Sequence, residues 1–574
     1  MIWQEKPFDP DVFTLLKKNN VFSPLTAKLL SGRSISSVDE AKSFLSPKLA
    51  YLTDPFDIPQ MNQSVDRIET ALANKEEILL IGDYDADGIS SVSIVQKVLS
   101  ELGGNSSYVI PKRHDEGYGL TQKVLERGLE NKSAALVIAL DCGTNSTEEA
   151  NFLREKGIDL IVVDHHQAKG TVSDHAIILN PHLGENEHLP WKNLCTAGLA
   201  FKLAHALTKS LKKQDDPLAA KVNLKEYLPL SAMGTIADLV PLQQENRIIS
   251  KFGLKHLGHN PSTGIKALLH ESKIDRNHYP KSEDITFKLA PMINACGRMD
   301  NPTVATSLFL EKDESTCRIL ARKMNEYNEE RKFIESQLSE EAMQQAENQF
   351  SDKPAVVVSG SGEWWNPGIV GIVAGKLANS LGKPCIVLAK SENVEYRGSG
   401  RGTAGLDLVQ ALADCKDLLL HWGGHPVAVG LSIDETHLEE FTNRFITAVN
   451  KQIGKTERET IFEVDAFIKQ TELNHKLLEE VELIAPFGQA NPEPIFGIEK
   501  TRLYGKPRKV GTGHFQFSIH NGEKAVSGIA WRMADNIPPE DVDLDVAVRL
   551  QWNKWNQRKN LQMVLESWRI HKVK

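Results

Sequence analysis

The stretch Ile78–Gly88, ILLIGDYDADG, decides how the chain is read. Four apolar residues in succession, Ile78 to Ile81, spell a strand covered on both faces, as strands of parallel sheets are. Gly82 opens a turn in which Asp83, Asp85 and Asp87 alternate with other residues, and Gly88 permits a tight bend into a helix. The apolar residues Ile89, Val92, Val95, Val98, Leu99 and Leu102 keep helical spacing, and Gly103-Gly104 stops that helix. Three carboxylates at one strand end repel each other at neutral pH unless cations or shared protons compensate. Hard oxygen ligands suit Mg²⁺ or Mn²⁺. Taken alone, the motif reads equally well as a solvated acidic turn.

The segments that follow break the tie. A second apolar strand, 134–140, ends at Asp141 in LDCGTNS, and Ser146 with Glu149 predicts a capping box for a helix through Lys156. A third, 159–163, runs into Asp164, His165 and His166 of VVDHHQ, and a fourth, 176–179, into Asn180-Pro181. Strands alternating with helices predict a doubly wound parallel sheet, whose ligands bind beyond the C-terminal strand ends. All three acidic or His clusters fall there. Helices are predicted over 196–213 and 217–236, and GTIADLVPL places Asp238 just past the second. Asp83, Asp85, Asp87, Asp141, Asp164, Asp238, His165 and His166 together suit a pair of divalent ions about 3.5–4 Å apart, with one strand-end Asp as the bridge. Such a pair activates water for in-line attack at phosphorus.

The 574-residue length predicts three or four domains. Residues 1–75 read as a helical N-terminal adaptor segment, and 76–310 as the α/β domain carrying the clusters. Residues 311–350 read as one long connecting helix, 351–452 as a second α/β domain opened by AVVVSG, and 455–574 as a small β-barrel with FQFSIH and VDLDVAVRL strands. The composition, 41% hydrophobic and 25% charged, is that of a soluble globular protein. No apolar run of 18 residues and no signal-like start predict a chain with neither membrane span nor leader. Six scattered cysteines without a CxxC pair predict reduced, cytoplasmic thiols rather than disulfides or structural zinc. The net charge of −9 is uneven: residues 501–574 hold 13 Lys+Arg and 7 Asp+Glu, a net of +6, leaving −15 for residues 1–500. A basic end on an acidic protein suits a phosphate-bearing partner.

The second α/β domain offers its own anion chemistry. Arg397, Ser399 and Arg401 lie among Gly398, Gly400 and Gly402, and Gly423-Gly424-His425 lets backbone approach a ligand. Arg298 in NACGRMD is a candidate phosphate contact, with an ordinary structural ion pair as the alternative. Trp531, Trp552, Trp555 and Trp568 stand among Arg532, Lys554, Arg558 and Lys559, a mixture that suits base stacking beside a basic groove.

DYDADG, LDCG, VVDHH and GTIADLVPL resemble, in order, the four motifs of the DHH phosphoesterase superfamily. NACGRMD, WWNPGIVGIVAGKL, YRGSGRG, HWGGHPVAVGLSI and PFGQANPEPIF resemble its RecJ branch, the bacterial single-stranded-DNA-specific exonucleases. The resemblance implies a DHH-type sheet domain, a DHHA1-type domain for the DNA strand and its 5′ end, and a C-terminal OB-fold. It implies that Asp85, Asp87, Asp141, His165 and Asp238 ligate two Mn²⁺ or Mg²⁺ ions with Asp141 bridging, and that Asp83 completes a shell. His166 would face the scissile phosphate and Asp164 would orient the histidines. The chain departs from the pattern at Ile81 and Asn366, where family members often carry His. The implied activity is 5′–3′ hydrolysis of single-stranded DNA to nucleotide monophosphates in recombination and repair, with a helicase and a single-strand-binding protein as partners. The alternatives are a phosphodiesterase of oligoribonucleotides or cyclic dinucleotides, which the barrel disfavours, and a non-catalytic replication scaffold, which the complete carboxylate set disfavours.

Overall fold

The computed structural model describes residues 2–19, 21–112, 116–117, 119–130, 132–184, 188–274, 279–299, 301–391, 395–403, 405–453, 461–555 and 558–572, without the side chains of 554, 555 and 558. The first sheet is wholly parallel and runs, edge to edge, Asn105–Val109, Glu77–Gly82, Ala134–Leu140, Asp159–Val163, Ile177–Leu179. Alternation along its strands sorts two cores. Ile78, Leu80, Ile138, Leu140, Ile161 and Val163 face the helix Ala86–Glu101 and its neighbours. Leu79, Ile81, Val137, Ala139, Leu160 and Val162 face Val124, Leu125, Ala150 and Leu153 on the other side. Each such side chain contributes roughly 1.5–3 kcal/mol on full burial, so a one-residue slip would exchange both cores at once. The predicted doubly wound sheet is present. Its edge strand Asn105–Val109 went unpredicted because NSSYV is only partly buried and carries little apolar signal.

Three local expectations need correction. The helix beginning at Thr147 has Ser146 at its N-cap, but no capping box forms: the Ser146 hydroxyl donates to the Leu120 carbonyl at 3.2 Å. The helix predicted over 217–236 begins only at Leu228, with Pro229 in its first turn. Upstream the chain makes two short 3₁₀ turns, Ala219–Lys221 and Leu224–Glu226, the second capped by Asn223. Gly88 is already inside the helix that starts at Ala86, and its requirement is space. A Cβ there would lie 2.5 Å from the Asp83 carbonyl oxygen.

Upstream of the sheet, Ile58, Met61, Val65, Ile68 and Ala71 join the first core, so the helix Met61–Asn74 packs as part of that domain. The strand Ile2–Glu5 pairs in parallel with Ile461–Val464 and ties the N-terminal segment to the C-terminal domain. The long helix spans Glu314–Phe350 and is capped by Asp313. Cys317, Ala321 and Met324 belong to the first core, whereas Leu338, Ala342, Ala346 and Phe350 belong to the second. That second core covers a five-stranded sheet in which Val356–Gly360 and Cys385–Lys390 are parallel. Glu395–Arg401, Ala428–Asp434 and Leu419–His425 continue it antiparallel. The C-terminal domain is a seven-stranded sheet around Phe496, Phe515, Val546, Met563 and Leu565.

Two buried arginines, Arg247 of the first domain and Arg33 of the N-terminal segment, hold this last domain in place. Arg247 stacks on the Phe44 ring at 3.6 Å and donates to the Phe44 and Ala485 carbonyls at 2.7 and 2.9 Å. Arg33 donates to Asn491 Oδ1 at 2.9 Å and to the Pro492 carbonyl at 3.0 Å.

Candidate metal centre

The three central strands end level with one another, and their next residues are aspartates. Asp83, Asp141 and Asp164 still donate their backbone N–H to the neighbouring strand, to the carbonyls of Leu140, Val163 and Leu179 at 3.2, 3.0 and 3.2 Å. Three carboxyl groups are thereby set side by side at the rim of the sheet. Asp141 does this with a left-handed backbone (φ 67°), which Asp tolerates better than most residues.

Asp85 caps the helix Ala86–Glu101: its Oδ1 accepts the N–H groups of Asp87 and Gly88 at 2.9 and 3.1 Å. Asp87 meets the N-terminus of the helix Thr196–Lys213, whose Thr196 and Ala197 N–H groups each donate to it at 2.9 Å. Asp238 ends the helix Leu228–Ala237. His165 Nε2 stands 3.8, 3.5 and 3.4 Å from carboxylate oxygens of Asp87, Asp141 and Asp238. Three overlapping groups result: Asp83–Asp85–Asp141, Asp87–His165–Asp238 and Asp141–His165–His166. In each, the ligand atoms lie within 4.8 Å of one another. Asp141 belongs to the first and third of them and His165 to the second and third, so Asp141 links the first group to the rest through the third.

The electrostatics of the cluster suits cations. Burial first, then the charges of Asp141 and Asp238, push the Asp85 carboxyl up to about 7. The same causes raise Asp87 well above the carboxylate range. Burial raises Asp238 to about 6, against the pull of His165. Burial alone would lower the His165 imidazolium, but its bond to Asp141 and the nearby carboxylates raise it to about 10. The cluster thus retains protons until cations replace them. Oxygen donors with one or two imidazoles, and no thiolate in any group, are the donor set of Mn²⁺ or Mg²⁺.

Asp164 faces a different task. One oxygen accepts the backbone N–H of His165 and His166 at 2.8 and 3.2 Å and lies 2.7 Å from His166 Nδ1, and the other accepts the Thr144 N–H at 3.1 Å. Burial would raise its carboxyl, yet His166 and Thr144 hold it well below the usual range. Asn180 donates to Thr144 Oγ1 and to the His166 carbonyl, both at 2.9 Å. Sequence reasoning passed over Thr144, Asn180, Thr196 and Asn294. Asn294 fastens NACGRMD to DYDADG by accepting the Ala86 N–H at 2.8 Å. Asn294 lies inside a quoted motif, but none of the four stands out as a site residue, because a hydroxyl or amide reveals its task only through its partner.

The remaining candidates lie in the second domain or face it. Arg298 donates to the Gly368 carbonyl, bridging to the loop that precedes the helix Val370–Leu381. In that loop Asn366 Oδ1 accepts the Gly368 N–H at 2.7 Å. Arg397, Ser399 and Arg401 alternate along one strand and share a face. Arg401 donates to Ser399 Oγ at 2.8 Å, and both lie over Gly371, where a Cβ would be 3.2 and 3.3 Å from them. His425 is level with Ala428 and Arg401 across three strands, and Gly424 (φ 142°) lies one residue along. In the C-terminal domain Trp531 is 52% exposed and packs edge-on against His514 at 4.9 Å. Trp552 and Trp568 pack against the core. The side chains of Lys554, Trp555 and Arg558, also named above, lie outside the described ones.

Known proteins match along the whole chain. Residues 77–235 fit the family model of the DHH family N-terminal domain, 353–455 the DHHA1 domain and 464–567 the RecJ OB domain. The single-stranded-DNA-specific exonuclease RecJ of Bacillus subtilis is 32% identical over 572 residues, 99% of this chain and 70% of that protein. The protein of the same name from Dickeya dadantii is 31% identical, covering 94% of this chain and 95% of its own length. The chain belongs to the RecJ family. Among solved structures, Thermus thermophilus RecJ with Mn²⁺ superposes with a TM-score of 0.83 at 26% identity, covering 100% of this chain and 80% of that one. The same protein with Mg²⁺ gives 0.78 at 25% identity. RecJ membership fixes the DHH, DHHA1 and OB architecture and Mn²⁺ or Mg²⁺ as the cofactor. Among the described residues no helix is long and apolar enough to cross a membrane.

Proposed function

We propose that the chain is a metal-dependent exonuclease that hydrolyses single-stranded DNA from its 5′ end and releases nucleotide 5′-monophosphates. The observation that carries this is the meeting of Asp83, Asp85, Asp87, Asp141, His165 and Asp238 at the rim of one sheet, in a chain that resembles RecJ exonucleases from end to end.

Asp85, Asp87, Asp141, His165 and Asp238 would hold two Mn²⁺ or Mg²⁺ ions, with Asp141 shared between them and Asp83 completing a shell. Two such ions supply an activated water and offset the charge that develops on the phosphate in in-line displacement. The chain's own residues do the rest. Burial would lower the proton affinity of His166, but its bond to Asp164 and that carboxylate's charge raise it above its ordinary value, which favours the imidazolium. At 43% side-chain exposure His166 meets a phosphate entering the site and can give its proton to the leaving oxygen. Arg397, Ser399, Arg401, Gly424 and His425 would hold the 5′ end, and Arg298 sets the second domain against the metal motif. Trp531, exposed next to exposed Arg532, suits stacking of a longer strand. A helicase and a single-strand-binding protein would supply and present that strand, in recombination and repair in the cytoplasm.

The test is digestion of 5′- and 3′-labelled single-stranded DNA, duplex DNA and RNA with Mn²⁺ or Mg²⁺. Release of labelled mononucleotide from the 5′ end of single strands alone supports the assignment. Preference for short RNA or cyclic dinucleotides, or no hydrolysis at all, refutes it.

A further inference from the structure

One residue with no motif signal touches two carboxylates from separate parts of the sheet rim, one in the helix Ala86–Glu101 and one at the end of the strand Ala134–Leu140. Thr196 is fully buried at the start of the helix Thr196–Lys213. Its N–H donates to Asp87 Oδ2 at 2.9 Å, and its hydroxyl donates to Asp141 Oδ1 at 3.0 Å. Asp141 needs such a partner. Its left-handed backbone and its N–H bond to the Val163 carbonyl decide where Cβ points. They leave the rotation of the carboxylate open, and that terminal torsion is intrinsically broad. A carboxylate shared by two ions would have to aim its lone pairs at both, so its rotation matters more than that of any other ligand.

We infer that Thr196 is a positioning residue of the metal centre: its hydroxyl fixes the rotation of the Asp141 carboxylate and thereby governs how well the site accepts Mg²⁺. The inference rests on the metal-centre reading above. Mg²⁺ demands near-ideal octahedral geometry, so a carboxylate free to rotate penalises it directly. Mn²⁺ is larger, has no ligand-field preference and adapts to a displaced oxygen. Loss of the hydroxyl therefore shifts the site from Mg²⁺ toward Mn²⁺, leaving the DNA contacts untouched.

The experiment uses the full chain as wild type, Thr196→Val and Thr196→Ser, titrated separately with Mg²⁺ and Mn²⁺ by calorimetry. Thr196→Ala gives the same comparison should the Val variant fail to fold. Partners that orient metal ligands typically govern about 10–100-fold in metal affinity. Thr196→Val is expected to weaken Mg²⁺ binding by about tenfold or more and Mn²⁺ binding by clearly less. Its kcat in Mg²⁺ falls, KM for single-stranded DNA stays unchanged, and Thr196→Ser restores both. Wild-type Mg²⁺ affinity in Thr196→Val overturns the inference. So does a Ser variant as weak as the Val variant, because that implicates shape rather than the hydroxyl. Failure of the wild type to bind either ion would instead overturn the metal-centre reading itself.

Discussion

Nδ1 of His166 lies 2.7 Å from Oδ1 of Asp164, and that same oxygen accepts the backbone N–H groups of both His165 and His166. One carboxylate therefore shapes the DHH turn and sets the proton affinity of its outer histidine. Asp164→Asn keeps the size of the side chain but removes the charge that favours imidazolium. Its kcat is expected to fall by about 10²-fold, the lower end for general acid catalysis, with little change in KM. The sign of the pH effect follows. Asp164 raises His166, so without it the activity that needs the imidazolium is lost at lower pH. A pH–rate profile of the variant superposable on that of the wild type would remove His166 from proton transfer.

The metal-free protein carries its own pH signature. Asp85, raised to about 7 by burial and by Asp141 and Asp238, binds its proton more tightly folded than unfolded. The stability this contributes is complete below the unfolded carboxylate range and is lost as pH rises through about 7. His165, raised to about 10, loses its contribution between its ordinary range and pH 10. In EDTA the melting temperature should therefore decline from pH 5 to pH 9, whereas the gain on adding Mn²⁺ should grow as protons leave the ligands. Asp85→Asn retains the helix cap through its Oδ1 and loses the repulsion. It should melt higher than the wild type at pH 8 in EDTA and gain less from Mn²⁺. Differential scanning fluorimetry across pH, with and without metal, reads both effects.

The sheet was legible because alternating burial on two faces forces long apolar runs, and because ladder hydrogen bonds place whatever follows each run at a common rim. Asp83, Asp141 and Asp164 could be aligned from sequence for that reason alone. The edge strand Asn105–Val109 and the break before Leu228 were not legible. The first offers only Tyr108 and Val109 as apolar residues, and the second depends on Asn223 and Pro229 outweighing a helical pattern. Thr196 was invisible for a third reason: a helix-initiating Thr is ordinary until its hydroxyl is seen against Asp141.

Arg401 tests the second domain. Its guanidinium is partly buried on Ser399 and the Gly400 carbonyl, both at 2.8 Å, and among the described residues it has no carboxylate partner. Arg401→Ala should raise KM for 5′-phosphorylated single strands with a smaller effect on kcat, and reduce the salt slope of binding by roughly one phosphate. An unchanged slope and KM would make this residue part of the strand packing only.

Trp531 tests the C-terminal domain without removing it, which matters because Arg33 and Arg247 bury their donors against that domain. Trp531→Ala should weaken binding of long single strands by about 1–3 kcal/mol, the worth of one stacked base. Hydrolysis of very short strands should stay at the wild-type rate. Fluorescence anisotropy on strands of graded length checks this, and equal loss at every length would place Trp531 in the fold rather than on the strand.

The central claim is that Asp141 joins two ions at the strand ends, and electron paramagnetic resonance of the protein with two equivalents of Mn²⁺ tests it most directly. Ions about 3.5–4 Å apart should give an exchange-coupled dinuclear spectrum in the wild type. In Asp141→Ala the coupling should vanish and exonuclease activity should fall by several orders of magnitude, with the fold intact by circular dichroism. A coupled pair and near-wild-type turnover in Asp141→Ala would contradict the account.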